Sequence, residues 1–506
     1  MTSNETPTVA SLLSKISLGS PVAEFDTALA DYFIETDTFA RLRRDEGDTV
    51  AGDKGTGKSA LFRILKERYT SYADLGDVEV LPAFNPAGTP VFQRLLDAGV
   101  LQEPEYTRVW KAYFLMLAGN WLLELHGDAR PGSLKRLDEV LTKGGMRSNN
   151  SAPQSLFSQL VDILRPETVE STWTISPDGI PLVATKASFG RRGSRALEPA
   201  EFVRHDDALR LLENCLEETG FKLWLVLDRL DEAFQATPDV EHPALRALFR
   251  AYLDMQDFTH VRPKLFIRND LLGRVIVGGF VNLTHVNARK ITITWEDADL
   301  YALLIQRIKE SRDFVAAADL DGMSDDEIFD RVFPAQVDPG LRRPTTWKWI
   351  LTRIRDGNDV KSPRNLVDLV TKAVAAQQRR EASAGRNYVA GEPLLTGDAL
   401  KRALLELSKE RVEDTLLAEA GSAAATVRLF ENGKAEHNPE SLATILGPEN
   451  GDAIKRLVGL GFLEQTGPTY KVPMLYRGGM AITNGKAFAS GGKGDGEVVD
   501  DGDELD

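Results

Sequence analysis

The chain has 506 residues, of which 27% are charged, and a formal net charge of −15 at pH 7. This length suffices for two or three domains with a sizeable core. The single cysteine, Cys215, excludes a disulfide framework and a cysteine-based metal cluster, and it is typical of a reducing cytoplasm. The acidic balance argues against nucleic-acid binding over the whole surface, so such contact would require a local basic patch.

The first 24 residues are polar and lack a basic start followed by an apolar run. We therefore expect a flexible N-terminus (1–24) without a signal peptide. No apolar stretch approaches the roughly 18 residues that a membrane-spanning helix needs, so we expect a cytoplasmic protein without membrane contact.

A glycine-rich motif follows a short apolar segment near the start of the chain. It consists of Gly52, Asp53, Lys54, Gly55, Thr56, Gly57, Lys58, Ser59 and Ala60. The spacing Gly-x-x-x-x-Gly-Lys-Ser is that of the Walker A loop, whose backbone N–H groups surround a phosphate chain. We expect ATP and Mg²⁺ as cofactors, with the Lys58 ammonium on the β- and γ-phosphates and the Ser59 hydroxyl on the metal.

An acidic motif follows the apolar run 222–227, which is typical of a parallel strand covered on both faces. Asp228 stands at the carboxyl end of this run, where open α/β sheets bind ligands, and we predict that it holds Mg²⁺ as the Walker B aspartate. Asp231 and Glu232 follow it, and either is a candidate for the general base.

Five strands are predicted between helical segments, with starts at Thr49, Val78, Lys222, Leu265 and Lys290. The strand beginning at Leu265 ends in Arg268, Asn269 and Asp270. In P-loop ATPases with an added central strand, polar residues at this position stand near the γ-phosphate. Asn269 is therefore predicted to orient the attacking water or to sense hydrolysis, and Arg268 and Asp270 are alternatives.

Beyond residue 295 the pattern becomes helical. Ser362 and Pro363 are placed as the N-cap and first turn of a helix, and Arg364 follows as a predicted phosphate sensor. Helix 451–460 precedes two short strands around Gly467 and Pro468, which is the form of a winged helix.

The predicted fold class is α/β, with a parallel-sheet P-loop core, a helical lid and a C-terminal winged-helix domain. The predicted segments are a core at 25–295 with an insertion at about 126–204, a lid at 296–390, a winged helix at 391–480 and a disordered acidic tail at 481–506. The basic residues Arg191, Arg192 and Arg195 form a glycine-rich loop that is a candidate contact for nucleic-acid phosphates, as is the winged helix.

These motifs resemble those of the AAA+/STAND-type bacterial P-loop ATPases over residues 25–125 and 205–480. The resemblance implies an ATPase that couples nucleotide state to conformational change or oligomerisation, in an antiphage-defence or stress system beside a protein effector. It also implies a glutamate directly after the Walker B aspartate, but this chain has Arg229 there, so Asp231 or Glu232 would have to replace it. Arg274 and Arg289 are candidates for an arginine finger by location alone.

Alternative functions remain open from the sequence. One is a sensor or scaffold that binds ATP with little turnover and docks an effector, and another is an ATPase that remodels or loads onto DNA. A small-molecule kinase is less consistent with the chain, because it would not need the helical and winged-helix additions.

Overall fold

The computed structural model describes residues 7–84, 102–128, 131–148, 156, 159–160, 179–181, 202–230, 238–276 and 279–488. The chain divides into two compact units. The first comprises Met1–Ile34, Lys54–Gly57 and Thr294–Asp506, and the second comprises Glu35–Asp53 and Lys58–Ile293. The glycine-rich loop is itself divided, because its middle residues belong to the first unit and its flanking residues to the second.

The second unit contains a parallel β-sheet. The described strands of this unit are β1 (Thr49–Gly52), β2 (Val78–Phe84), β3 (Ile180–Pro181), β4 (Phe202–Val203), β5 (Lys222–Leu227), β6 (Val261–Arg268) and β7 (Lys290–Thr292). Among the described residues, five of them form the sheet in the order β2-β5-β6-β1-β7, with every neighbouring pair parallel. The five predicted strands are confirmed, and β6 lies between β1 and β5 as an added central strand.

Burial on both faces explains why these strands read as continuous apolar runs. Leu225, Val226 and Leu227 follow one another in β5, so they alternate between its two faces, and all three are fully buried. Each buried leucine contributes about 1.5–3 kcal/mol to folding. The surrounding helices are Asp37–Arg43, Lys58–Arg68, Glu103–His126, Gly132–Lys143, His205–Thr219, Pro238–Asp254, Asn269–Ile276 and Leu283–Ala288. The aromatic residues Trp110, Tyr113 and Phe114 of helix Glu103–His126 are buried in this core.

The first unit is mainly helical. Its described α-helices are Val9–Leu13, Asp297–Lys309, Arg312–Ala317, Asp325–Val332, Thr346–Ile354, Pro363–Ser383, Gly397–Glu410, Ala418–Ala420, Ala424–Arg428, Pro439–Leu446, Gly451–Gly459 and Met474–Arg477. A π-helix, Arg411–Leu417, continues helix Gly397–Glu410. Pro363 lies in the first turn of its helix, as predicted.

The first unit also contains a four-stranded sheet near the end of the chain. Its strands are β8 (Lys434–His437), β9 (Glu464–Thr466), β10 (Thr469–Lys471) and β11 (Thr483–Lys486), in the order β11-β8-β10-β9. Helix Gly451–Gly459 leads into the antiparallel pair β9 and β10, and Gly467 turns between them with a φ of 57°. This arrangement is the predicted winged helix, and the α/β fold class is confirmed.

The two ends of the chain are more ordered than we expected. Residues 7–24 were predicted to be flexible, yet Leu12 and Leu13 are fully buried and the N–H of Val9 donates to the Arg386 carbonyl at 3.0 Å. The prediction failed because a five-residue helix shows too little periodicity to be recognised. The segment 481–506 was predicted to be disordered, but β11 pairs with β8 inside it. Residues 489–506 lie outside the described part of the chain.

Within the described ranges, no helix has the combination of length and apolarity needed to cross a bilayer.

Candidate functional site

The glycine-rich loop connects β1 to helix Lys58–Arg68. Gly55 and Gly57 have φ angles of 80° and 101°, in the region that residues with a Cβ rarely adopt. Gly55 is also tightly surrounded, since a Cβ there would lie 2.6 Å from Ser362 Oγ and 3.1 Å from Arg364 Cβ. The Walker A spacing does not demand a glycine at position 55, but the local geometry around Gly55 requires one.

Side-chain donors occupy four carbonyl oxygens of this loop. Lys58 Nζ donates to the carbonyls of Gly52 and Asp53, at 2.8 Å in each case. The carbonyl of Gly55 accepts from Ser362 Oγ and that of Thr56 accepts from Trp295 Nε1, again at 2.8 Å each.

Asp228 follows the carboxyl end of β5 and is only 2% exposed. Burial raises the pKa of its carboxyl group to about 6, although a backbone hydrogen bond from Arg229, a hydrogen bond from the Ser59 hydroxyl and the charge of Lys58 all act to lower it. Lys58, Ser59 and Asp228, which sequence patterns alone had linked, therefore lie together. A buried carboxylate in this position has a strong tendency to bind a cation.

The residue after Asp228 has an unusual backbone. Arg229 has a φ of 55°, which is uncommon for a residue with a Cβ, and its N–H donates to the Asp228 carboxylate. Strained backbone of this kind is often found at functional sites. The two predicted bases, Asp231 and Glu232, lie outside the described residues, as do Arg191, Arg192 and Arg195.

Asn269 begins the helix that directly follows β6, and its Nδ2 donates to Asp53 Oδ1 in the loop at 3.0 Å. The side chain thus reaches the loop, as its position at the end of the central strand suggested. The two alternatives, Arg268 and Asp270, pair with each other at 2.9 Å.

Ser362 occupies the N-cap position of helix Pro363–Ser383, but its side chain makes no capping hydrogen bond. The predicted N-cap position is confirmed, but the hydroxyl donates to the Gly55 carbonyl instead of capping the helix. Arg364, the second residue of the same helix, lies against Gly55. The ammonium of Lys54 donates to the Asp414 carbonyl of the π-helix at 3.2 Å.

Neither candidate for an arginine finger is held near the loop by the described contacts. Arg289 pairs with Asp45 and Asp48, which precede β1 and so lie at the opposite end of that strand from the loop. Arg274 forms an exposed ion pair with Glu241 at 2.8 Å. The position of Arg289 contradicts a role at the phosphates of its own chain.

The donor set at Ser59 and Asp228 fits Mg²⁺. A hydroxyl and a carboxylate supply the hard oxygen ligands that this ion prefers, and Mg²⁺ sites commonly use one or two side chains completed by phosphate oxygens and water. The described residues contain no group of three or more His, Cys, Asp or Glu side chains able to hold a metal without such additional ligands.

Sequence reasoning missed two residues of this site. Trp295 was expected to end the last strand of the sheet, yet β7 ends at Thr292 and the indole donates to the loop. Ser362 was noted only as a cap. A local sequence pattern gives no signal for either contact, because the donor and the acceptor are far apart in the chain.

A parallel sheet with a glycine-rich loop after one strand, and an acid after a strand two places away, defines the P-loop nucleoside triphosphatase fold with an added central strand. No protein-family model matches the chain, and no curated protein matches it.

The solved structures that are similar to the chain include three from one organism. The ORC2 protein of Aeropyrum pernix in its ADPNP–ADP complexes matches with a TM-score of 0.34 and 14% identity, covering 90% of this chain and 91% of that one. The ORC1 protein of the same organism in complex with DNA matches with a TM-score of 0.34 and 12% identity, covering 91% of this chain and 96% of that one. The ADP form of ORC2 matches with a TM-score of 0.30 and 13% identity, covering 86% of each chain.

Proposed function

We propose that the chain binds ATP with Mg²⁺ at the glycine-rich loop and hydrolyses it, acting as a molecular switch. The observation that supports this most directly is the meeting of Lys58 and Ser59 with the buried carboxyl group of Asp228. These three groups come from the two motifs that P-loop enzymes use for phosphate and metal. A carboxyl group this deeply buried becomes charged only at a cost, which a bound cation would offset.

Different groups at the loop would bind different parts of Mg-ATP. The backbone N–H groups from Asp53 to Ala60 would surround the phosphates, and helix Lys58–Arg68 would direct its N-terminal dipole at them. Lys58 would exchange its two carbonyl partners for phosphate oxygens, which offer a full negative charge. Ser59 and Asp228 would hold Mg²⁺, which when bound neutralises charge on the phosphates.

Hydrolysis requires a water molecule to be positioned and deprotonated. Asn269, already bonded to Asp53 in the loop, is our candidate for orienting it, and Asp231 or Glu232 is our candidate base. Arg364 lies against Gly55 and is our candidate sensor of the terminal phosphate.

We also propose that ATP binding changes the conformation or the oligomeric state of the chain. The sequence resemblance supports coupling of nucleotide state to conformational change or oligomerisation, in a bacterial defence or stress system that includes a protein effector. Sizing of the purified protein with and without Mg-ATP tests the oligomerisation directly.

Phosphate release from Mg-ATP tests turnover. We expect release from the wild type and none from Lys58→Ala, whereas Lys66→Ala, an exposed lysine on the same helix, serves as the matched control with full activity. Asp231→Asn and Glu232→Gln, tested separately, identify the base. Equal release from the wild type and Lys58→Ala would show that the activity does not arise at this loop.

A second candidate function is an ATP-binding sensor with little turnover. It is favoured by Arg229, which occupies the place where the resemblance implies a catalytic glutamate. It predicts tight Mg-ATP binding without measurable phosphate release, so the same assay separates the two functions.

A DNA-loading role receives less support from the described residues. Helix Gly451–Gly459 carries only two basic residues, Lys455 and Arg456, and Lys455 lies 3.9 Å from Asp452, so its net positive charge is small for contact with a DNA backbone. Salt-sensitive binding of duplex DNA, lost when Arg191, Arg192 and Arg195 are neutralised, would favour this role.

A further inference from the structure

Two side chains from outside the glycine-rich loop hold successive carbonyl groups within it. Ser362 Oγ donates to the carbonyl of Gly55, and Trp295 Nε1 donates to the carbonyl of Thr56. Both bonds are 2.8 Å long, which is a favourable length for O–H and N–H donors.

Because the peptide bond is planar, these contacts also fix the direction of the neighbouring N–H groups. In a planar trans peptide, the carbonyl of one residue and the N–H of the next point in opposite directions. Holding the Gly55 carbonyl therefore fixes the N–H of Thr56 on the other side of the chain. Holding the Thr56 carbonyl fixes the N–H of Gly57 in the same way. These two N–H groups belong to the set that would bind phosphate.

We propose that Ser362 and Trp295 are positioning residues that preorganise the phosphate-binding N–H groups of the loop. This inference rests on the proposed nucleotide binding and adds two residues that act through the loop rather than through contact with the nucleotide. Dipoles aligned in advance bind an anion more tightly, because binding then does not have to order them.

Both donors are well suited to such a role. Ser362 is only 4% exposed, and its hydroxyl leaves its own helix uncapped in order to reach the loop. Gly55 leaves the space that this approach needs, since a Cβ there would lie 2.6 Å from the hydroxyl oxygen. The ring of Trp295 lies beside Gly57, with Cζ2 3.8 Å from the position of a Cβ on that glycine.

A different role for Trp295 would be to stack on the base of the nucleotide. The two roles can be separated with inorganic tripolyphosphate, which carries the phosphates of ATP but has no base. Loss of a stacking residue would weaken ATP binding alone, whereas loss of a positioning residue would weaken both ligands by the same factor.

The experiment is calorimetric titration of the full chain with Mg-ATP and with Mg-tripolyphosphate. We expect Ser362→Ala and Trp295→Phe each to weaken both ligands by about fivefold, the effect of one lost hydrogen bond of about 1 kcal/mol. Ser362→Thr keeps the hydroxyl and should retain most of the affinity. Trp347→Phe, at a partly buried tryptophan of the same unit packed against Tyr301, is the control and should bind as the wild type does.

Unchanged affinity in both Ser362→Ala and Trp295→Phe would overturn the inference, as would a loss confined to ATP or an equal loss in Ser362→Ala and Ser362→Thr. Thermal unfolding of each variant without ligand shows whether an affinity loss reflects general destabilisation. If the wild type binds neither ligand, the proposed function itself fails, and that result is distinct from a failure of the positioning role.

Discussion

The hydroxyl of Ser59 donates a hydrogen bond to the carboxyl group of Asp228, although the two residues come from distant parts of the sequence. Ser59 is in the first turn of the helix after β1, and Asp228 directly follows β5. The two strands are not neighbours, because β6 lies between them. The contact therefore results from the order of the parallel strands, which places both motifs at the carboxyl ends of nearby strands.

The raised pKa of Asp228 predicts how stability depends on pH. Its value of about 6 exceeds the usual 3.8, so the folded chain binds more protons than the unfolded chain between these values. Stability contributed by this group is complete below about pH 4 and is lost as the pH rises through about 6. Without Mg²⁺, Asp228→Asn should therefore be more stable than the wild type at pH 7 by up to about 3 kcal/mol.

Urea denaturation at pH 4.5 and pH 7 measures this effect. The advantage of Asp228→Asn should be small at the lower pH and should grow at the higher one. An advantage that is the same at both pH values would show that Asp228 is not the group responsible.

The same titration predicts the pH dependence of metal binding. A carboxylate must lose its proton to coordinate Mg²⁺, so Mg-dependent ATP affinity should fall below about pH 6, by as much as tenfold per pH unit. ATP binding measured with EDTA in place of Mg²⁺ provides the reference for protonation of the nucleotide itself. Equal pH profiles with and without the metal would exclude Asp228 as its ligand.

Gly55→Ala should strongly weaken nucleotide binding. The substitution places a Cβ at a φ of 80° and 2.6 Å from Ser362 Oγ, so the loop must shift. We expect a loss of at least about tenfold in Mg-ATP affinity, together with about 1–2 kcal/mol of backbone strain. Gly220→Ala is a matched control, because Gly220 has a φ of 76° but open space around it. It should cost similar stability and leave ATP affinity unchanged; a comparable loss of affinity in both variants would contradict this.

A buried charge cluster at the amino end of β1 should be essential for stability. Lys264 is fully buried and donates to Asp48 at 2.7 Å and to the Gly47 carbonyl at 2.8 Å. Burial alone would raise the pKa of Asp48, but the charge of Lys264 and its hydrogen-bond partners hold that pKa below the usual range. Lys264→Met would leave a buried carboxylate without this partner.

We expect Lys264→Met to lower the free energy of unfolding by about 1–3 kcal/mol, the effect of one lost buried partner, because Asp48 keeps its ion pair with Arg289. Arg44→Ala, which breaks an exposed pair with Glu46, should leave the free energy of unfolding nearly unchanged, because solvent screens that pair. Denaturant titration of both variants measures the difference. A loss of less than 1 kcal/mol for Lys264→Met would mean that the cluster relaxes or admits water.

Local patterns predicted most of the helices and strands and the meeting of Lys58 with Asp228, but not the other contacts that connect the elements. The strand at 222–227 and the glycine motif are recognisable because burial and backbone geometry leave a signature within a few residues. The bonds from Ser362 and Trp295 to the loop depend on tertiary packing, which no local spacing encodes. The pKa of Asp228 likewise depends on how completely the fold excludes water from it, and this was not visible from an acid after an apolar run.

The most direct test of ATP binding at the glycine-rich loop is calorimetric titration of Mg-ATP into the wild type and into Lys58→Ala. Lys58 begins helix Lys58–Arg68 and donates to the loop carbonyls, so its removal takes away the positive charge meant for the phosphates. We predict saturable binding with one site per chain for the wild type and no detectable binding for Lys58→Ala. Equal Mg-ATP affinity in the two proteins would contradict a phosphate site at this loop.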